Sequence, residues 1–110
     1  MGIDLTEMQR AALAHALAPF AESVDFVAVY GSRATGAARR GSDVDLVLHG
    51  NVSAWHVRSA IEESDLSIFA DVVRYDEITN PQLRAEVDRD AQPLFTRAEL
   101  RAFAKGEATR

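Results

Sequence analysis

The spacing of apolar and polar positions at the start of the chain predicts an amphipathic helix. Apolar residues recur there every three to four positions, which is the period of a helical face. Thr6 and Gln9 have the spacing of a capping box, and Pro19 stands where such a helix would end. We therefore expect a leading helix within residues 1–20.

Three later runs have the character of buried strands. Each is short, apolar and rich in β-branched or aromatic residues, and each is bounded by turn signals or by a change of pattern. They are Val24–Tyr30, Val44–His49 and Leu66–Tyr75.

Helices are predicted between and after these runs. Asn80 followed by Pro81 is a favourable cap and first-turn pair, and Thr96 with Glu99 repeats the capping-box pattern. The predicted segments are Arg33–Arg40, Ser53–Glu63, Pro81–Asp90 and 97–105.

Alternation of helices and strands indicates the α/β or α+β class. We expect a single domain over residues 1–110, in the order α-β-α-β-α-β-α(-α), with a mixed central sheet of three or more strands flanked by helices. The leading helix would occupy 1–20, the core 24–95 and the last helix 97–105. Residues 93–95 form a short apolar segment before that helix.

Composition narrows the possible classes of protein. The 110 residues are 47% hydrophobic and 26% charged, as in ordinary globular domains, and the lack of cysteine excludes disulfide, zinc-finger and iron–sulfur frameworks. No apolar run approaches the roughly 20 residues of a spanning helix, so we expect a soluble cytoplasmic protein without a membrane partner. The net charge of −5 argues against direct nucleic-acid binding.

Asp43 and Asp45 carry the most informative chemistry. Residues two apart on a strand project to the same face, so the two carboxylates would lie together beside the apolar Val44 and Leu46. Such like charges repel unless a cation lies between them, and Mg²⁺ binds one or two carboxylates together with substrate phosphates. The pair predicts a magnesium–nucleotide site; alternatively, Asp43 caps the turn and only Asp45 faces inward.

Gly31 and Ser32 follow the first predicted strand and open a short helix. Backbone N–H groups and a small hydroxyl at such a turn suit phosphate oxygens, although Gly-Ser is also a common way to end a strand. Neither the P-loop pattern nor the dinucleotide-binding pattern is present. Arg33, Arg39 and Arg40 could neutralise phosphate charge, or could simply lie on a solvated helix face.

Asp71 is a third acid inside an apolar run. A buried carboxylate needs a partner, which a metal site on a neighbouring strand would supply; the alternative is an edge position facing solvent. Three carboxylates beside a phosphate turn suggest phosphoryl transfer with two metal ions. Asp43 and Asp45 would bridge both ions, and Asp71 would bind the ion on the side of the attacking hydroxyl.

Together, Gly31-Ser32-Arg33, Gly36 and Ser42-Asp43-Val44-Asp45-Leu46 resemble the signature of the DNA polymerase β-type nucleotidyltransferases, in particular their minimal (MNT) branch. The resemblance covers nearly the whole chain and implies that 24–95 is a catalytic core using ATP and two Mg²⁺ ions. It implies catalytic and metal-binding roles for the three acids, and nucleotide contacts from Gly31, Ser32, Arg33 and Arg40.

The resemblance also implies a biological role. MNT proteins commonly act as antitoxins of HEPN-type ribonuclease toxins, and members transfer AMP from ATP to a tyrosine of that toxin. Larger relatives carry a second, substrate-binding domain, for which 110 residues leave no room, so the acceptor would come from a partner. The alternatives are an antitoxin that acts by binding alone and an aminoglycoside-type adenylyltransferase.

Overall fold

The computed structural model describes residues 2–38 and 42–106. Within these residues the chain alternates helices and strands around one four-stranded sheet, which confirms the expected α+β class. The helices are α1 (Glu7–Leu17), α2 (Ser32–Thr35), α3 (Ala54–Glu62), α4 (Pro81–Asp90) and α5 (Arg97–Ala104). The strands are β1 (Phe26–Tyr30), β2 (Val44–His49), β3 (Ala70–Arg74) and β4 (Gln92–Thr96). Two 3₁₀ helices, Ala18–Ser23 and Tyr75–Glu77, complete the elements.

The sheet is mixed and has the strand order β3-β2-β1-β4. Strand β1 runs antiparallel to both of its neighbours, whereas β2 and β3 are parallel and are joined through α3. A parallel pair needs such a crossover because both strands start at the same end of the sheet. The amino ends of β2 and β3 therefore lie beside the carboxyl end of β1, at one end of the sheet.

Two hydrophobic clusters cover the two faces of the sheet. The larger contains buried residues of α1, α3 and α5 together with one alternating set from the strands, including Val29, Leu46 and Val72. The smaller lies on the opposite face, where Val87 of α4 packs with Val47 and Tyr30. Because alternate strand residues point to opposite faces, β2 directs Asp45 to the α4 side.

Local signals placed several helix ends correctly. Thr6 caps α1 through a capping box with Gln9, and Asn80 caps α4 by accepting hydrogen bonds from two backbone N–H groups. Strand β2 and helix α4 have the predicted bounds. The helix predicted over Arg33–Arg40 is shorter, because Gly36 adopts a left-handed conformation after Thr35.

Two strand predictions need correction. The run Leu66–Tyr75 is extended into a paired strand only over Ala70–Arg74. The apolar segment 93–95 is part of a fourth strand, so the element order is α-β-α-β-α-β-α-β-α rather than the expected order. Pro93 is tolerated because β4 is an edge strand, with a register shift between Val27 and Ala28 of β1 beside it.

Candidate active site

Two of the predicted acids lie together at the end of the sheet where β1 ends and β2 and β3 begin. Asp45 and Asp71 are register partners on the parallel strands β2 and β3, and Tyr30 is the partner of Asp45 on the other side. Asp45 is half-buried, whereas Asp71 is exposed on the edge strand. Asp71 therefore has the solvent-facing edge position and not the buried one, although it does lie next to Asp45.

Asp43 precedes β2 and is exposed. Its charge nevertheless acts on Asp45. Burial, together with the negative charges of Asp71, Asp43 and Glu86, raises the pKa of Asp45 to about 6. The three predicted acids therefore form one electrostatic group, in which the central carboxylate is partly desolvated.

Tyr30 lies under this group. Its side chain is buried, and desolvation together with the charge of Asp45 raises the pKa of the phenol to about 12. Tyr30 is therefore neutral at physiological pH and supplies the floor of the site rather than a charge.

Gly31 makes the close approach of the turn to Asp45 possible. Its φ of +72° lies in the region that favours glycine, and a Cβ atom there would come within 2.5 Å of Oδ2 of Asp45. The Gly31 carbonyl accepts hydrogen bonds from the N–H groups of Ala34 and Thr35, which starts α2. Ser32 is the half-buried first residue of that helix.

The position of Arg33 contradicts one of its two sequence interpretations. Arg33 is only 6% exposed, so it does not lie on a solvated helix face. Its Nε and Nη2 donate to the carbonyl of Ser42 at 3.1 and 2.7 Å, and Nη1 donates to the carbonyl of Asp4 at 2.8 Å. These contacts tie α2 to the segment that leads into Asp43, which is a structural role. A nucleotide contact from Arg33 stays a prediction, while Arg39 and Arg40 lie outside the described residues.

Two charged residues near the site had no signal in the sequence pattern. Glu86 is half-buried on α4, and its charge raises the pKa of both Asp45 and Tyr30. Arg58 reaches from α3 around the sheet edge, where Nη2 donates to the carbonyl of Val72 at 3.0 Å and lies 3.9 Å from Oδ1 of Asp71. Both contacts depend on how helices pack on the sheet, which local spacing does not reveal.

The acids suit a hard divalent cation by donor type, because all of them offer carboxylate oxygens. Over 2–38 and 42–106, no group of three or more acidic, histidine or cysteine side chains is close enough to hold a metal by itself. The raised pKa of Asp45 shows that its negative charge is unfavourable here without a counter-charge. A cation with phosphate oxygens as further ligands would supply that counter-charge, so the residues fit a metal–nucleotide complex.

No helix among the described residues is long and apolar enough to cross a membrane.

Comparison with solved structures shows the same fold. A chain in a crystal structure of a toxin–antitoxin with AMP-PNP is 18% identical, with a TM-score of 0.63 over 91% of this chain and 84% of that one. A chain of the toxin–antitoxin MntA–HepT is 14% identical, with a TM-score of 0.60 over 94% and 85% of the two chains. Among curated proteins, none matches this chain.

Family comparison gives the assignment. The family model described as polymerase beta, nucleotidyltransferase matches residues 14–100, which include β1, the Gly31 turn, both acid-bearing strands and β4. The match covers most of the chain. This protein therefore belongs to the polymerase beta nucleotidyltransferase family and is a nucleotidyltransferase.

Proposed function

We propose that this nucleotidyltransferase transfers AMP from ATP to a hydroxyl group of a partner protein, and that it acts as the antitoxin of a HEPN-type toxin. The observation that carries the transfer chemistry is the row formed by Asp71 on β3, Asp45 on β2 and the Gly31 turn that follows β1. The similarity of the fold to chains of toxin–antitoxin crystal structures supports the kind of partner.

The sheet order gives the site two sides. Gly31 and Ser32 lie at the end of β1, on one side of Asp45, and Asp71 lies on β3, on the other. We assign the triphosphate to the Gly31–Ser32 side, since backbone N–H groups at a glycine turn suit phosphate oxygens. The acceptor hydroxyl then approaches from the Asp71 side.

Asp43, Asp45 and Asp71 would hold two Mg²⁺ ions. Bound there, the ions would neutralise phosphate charge and make the acceptor hydroxyl more acidic. The chain's own residues orient the reactants: the Gly31 turn brings the phosphates against Asp45, and Arg33 fixes α2 relative to the segment before Asp43.

The reaction balances as a substitution at phosphorus. The acceptor oxygen forms a bond to the α-phosphorus of ATP, the α–β anhydride bond breaks, and pyrophosphate leaves with the bonding electrons. The hydroxyl proton passes to the carboxylate of Asp71, which is exposed and lies on the acceptor side.

Labelled ATP tests the transfer directly. The protein is incubated with Mg²⁺, ATP labelled at the α-phosphate and the product of the adjacent gene, and the labelled polypeptide is identified. We expect label on the partner, and at least a thousandfold slower labelling when Asp43→Asn and Asp45→Asn are combined. Asp65→Asn, at an exposed position between α3 and β3, is the matched control and should label at the wild-type rate.

Protection of cells that express the partner tests the antitoxin role. Catalytic neutralisation predicts that protection is lost with the Asp43→Asn, Asp45→Asn variant and kept with Asp65→Asn. Protection that persists without labelling would show that neutralisation is by binding alone. Labelling that the acid substitutions do not change would contradict the proposed chemistry.

A further inference from the structure

Phe69 is a large apolar side chain that the packing of the protein does not use. It is 80% exposed, although it immediately precedes β3 and the site-forming Asp71. Its backbone is anchored, because the Phe69 carbonyl accepts a hydrogen bond of 2.9 Å from the N–H of Val44. Phe69 therefore sits at a defined place beside the start of β2.

The alternation of side chains places Phe69 on the same face as Asp71. Ile68, Ala70 and Val72 all pack in the larger hydrophobic cluster on the α1 and α3 side, whereas Val73 packs on the α4 side. Asp71 therefore faces the α4 side, and continuing the same alternation one residue before β3 directs Phe69 to that side as well. Two residues along an extended chain separate them by only about 7 Å.

Sheet order then places Phe69 on one side of the site. It extends the β3 side, next to Asp71, and β2 separates it from the Gly31 turn of β1. With the triphosphate and the acceptor on the sides proposed above, a ring in this position would be remote from the triphosphate and close to the incoming hydroxyl.

We propose that Phe69 is an acceptor-binding residue, whose ring packs against the side chain that carries the acceptor hydroxyl and holds it over Asp71. This inference rests on the proposed transfer to a protein hydroxyl. Exposed aromatic rings contribute strongly to recognition because they bury a large apolar area with few rotatable bonds.

Steady-state kinetics with the partner that becomes labelled above separates acceptor binding from other roles. Phe69→Ala should raise the KM for the acceptor about ten- to a hundredfold, the range expected for losing the burial of one such side chain. The KM for ATP should stay within about twofold of the wild-type value. Phe69→Tyr, which keeps the ring, should restore the acceptor KM.

Trp55 provides the matched control. It is another exposed aromatic residue, 67% accessible, and it lies in the first turn of α3, which follows the far end of β2. Trp55→Ala should leave both KM values unchanged. If Phe69→Ala and Trp55→Ala have the same acceptor KM, Phe69 does not bind the acceptor and the inference is overturned.

A covalent probe gives a readout that does not depend on turnover. With p-benzoylphenylalanine in place of Phe69, irradiation should cross-link the acceptor at the peptide that carries the modified residue, while the same probe in place of Trp55 should not. Cross-linking elsewhere on the acceptor would overturn the inference. Failure of the proposed function is distinguishable, because the wild-type protein would then label no partner, or would label it regardless of Asp43 and Asp45.

Discussion

The α4-facing side of the sheet has two ends, which differ in whether their side chains have favourable partners within the protein. The acid end consists of Asp45, Asp71 and Tyr30, and the aromatic end consists of Phe26, His49 and Tyr75. Each end has one residue from β1 and one from β2. The third residue lies on β3 at the acid end and directly after β3 at the aromatic end. The rings of the aromatic end stack, with centroids 4.0 Å apart for Phe26 and His49 and 4.6 Å apart for His49 and Tyr75.

Partners within the protein satisfy the aromatic end. The Tyr75 hydroxyl donates to Asp88 at 2.7 Å, and the Arg84 guanidinium lies 4.2 Å from the centre of the Tyr75 ring. The acid end instead gathers like charges against a buried phenol and raises the pKa of Asp45. Nothing in the packing of residues 2–38 and 42–106 favours that arrangement, and such a departure from the rules of stability is typical of functional sites.

The largest expected effect is on activity at the acid end. Gly31→Ala would place a Cβ atom 2.5 Å from Oδ2 of Asp45 and would strain the backbone at φ +72°. We expect nucleotidyl transfer to fall at least about a hundredfold, since a displacement of about 1 Å in a catalytic site has that effect. Single-turnover labelling with α-labelled ATP measures it.

Gly106→Ala separates the contact from the strain. Gly106 also has a positive φ, of +80°, but apart from its chain neighbours no heavy atom of the described residues lies within 4 Å of its added Cβ. This variant should keep full activity. Equal activities for the two variants would show that the approach of Gly31 to Asp45 is unimportant for transfer.

The next effect concerns Arg33, whose hydrogen bonds to the carbonyl of Ser42 hold the segment that leads to the acid end. Arg33→Ala would leave the carbonyls of Ser42 and Asp4 without their donor, and we expect the free energy of unfolding to fall by about 3 kcal/mol. Urea denaturation measures the change. Arg101→Ala is the control and should leave stability nearly unchanged, because Arg101 pairs with Glu22 at the surface, where solvent screens an ion pair.

Unchanged stability of Arg33→Ala, together with a higher KM for ATP, would instead support the nucleotide contact that the sequence suggests.

The two ends should respond to substitution with opposite signs. Without Mg²⁺, Asp45→Asn removes a carboxylate that its surroundings disfavour, so the free energy of unfolding should rise by about 1 kcal/mol, an amount reduced by partial solvent screening. His49→Ala removes the middle ring of the stack and should lower it by about 2 kcal/mol.

Ligand addition sharpens the same contrast. Mg²⁺ with a non-hydrolysable ATP analogue should raise the melting temperature of the wild-type protein and of His49→Ala, but not that of Asp45→Asn. A similar rise in Asp45→Asn would place the cation elsewhere.

Local sequence signals explain how much of the fold could be predicted. Caps such as Thr6 and Asn80 are defined by residues three or fewer positions apart, so they were readable. Strand β4 was not, because five residues containing Pro93 become a strand only through pairing with β1. Trp55 of α3 is exposed, whereas Val57 and Ile61 of the same helix are buried.

The site divides in the same way. The two-residue spacing of Asp43 and Asp45 predicts a shared face. The pairing of Asp45 with Asp71, in contrast, depends on the β2–β3 register. The burial of Arg33 could not be predicted, since its acceptors belong to Asp4 and Ser42, on two other segments. Long-range contacts therefore determine which of the predicted site residues lie next to one another.

The smallest expected effect is a pH dependence of opposite sign at the two ends, in the presence of a chelator. Asp45 has a pKa raised from 3.8 to about 6, so the folded protein holds its proton more tightly than the unfolded chain. Its contribution to stability is present below about pH 4 and is lost as the pH rises through about 6. His49 has a pKa lowered from 6.5 by burial, even though Asp25, Asp76 and Asp88 act in the opposite direction. Its contribution is present above pH 6.5 and is lost as the pH falls.

Denaturation curves between pH 4.5 and 8 separate the two groups. Asp45→Asn should leave a stability that rises with pH through the His49 range, and His49→Gln should leave one that falls between pH 4.5 and 6.5. The difference due to Asp45 should be about 1 kcal/mol, because one pKa unit corresponds to about 1.4 kcal/mol and the group is partly solvated. Parallel pH profiles for the two variants would mean that the ends are electrostatically alike, and the contrast between a satisfied end and a strained end would fail.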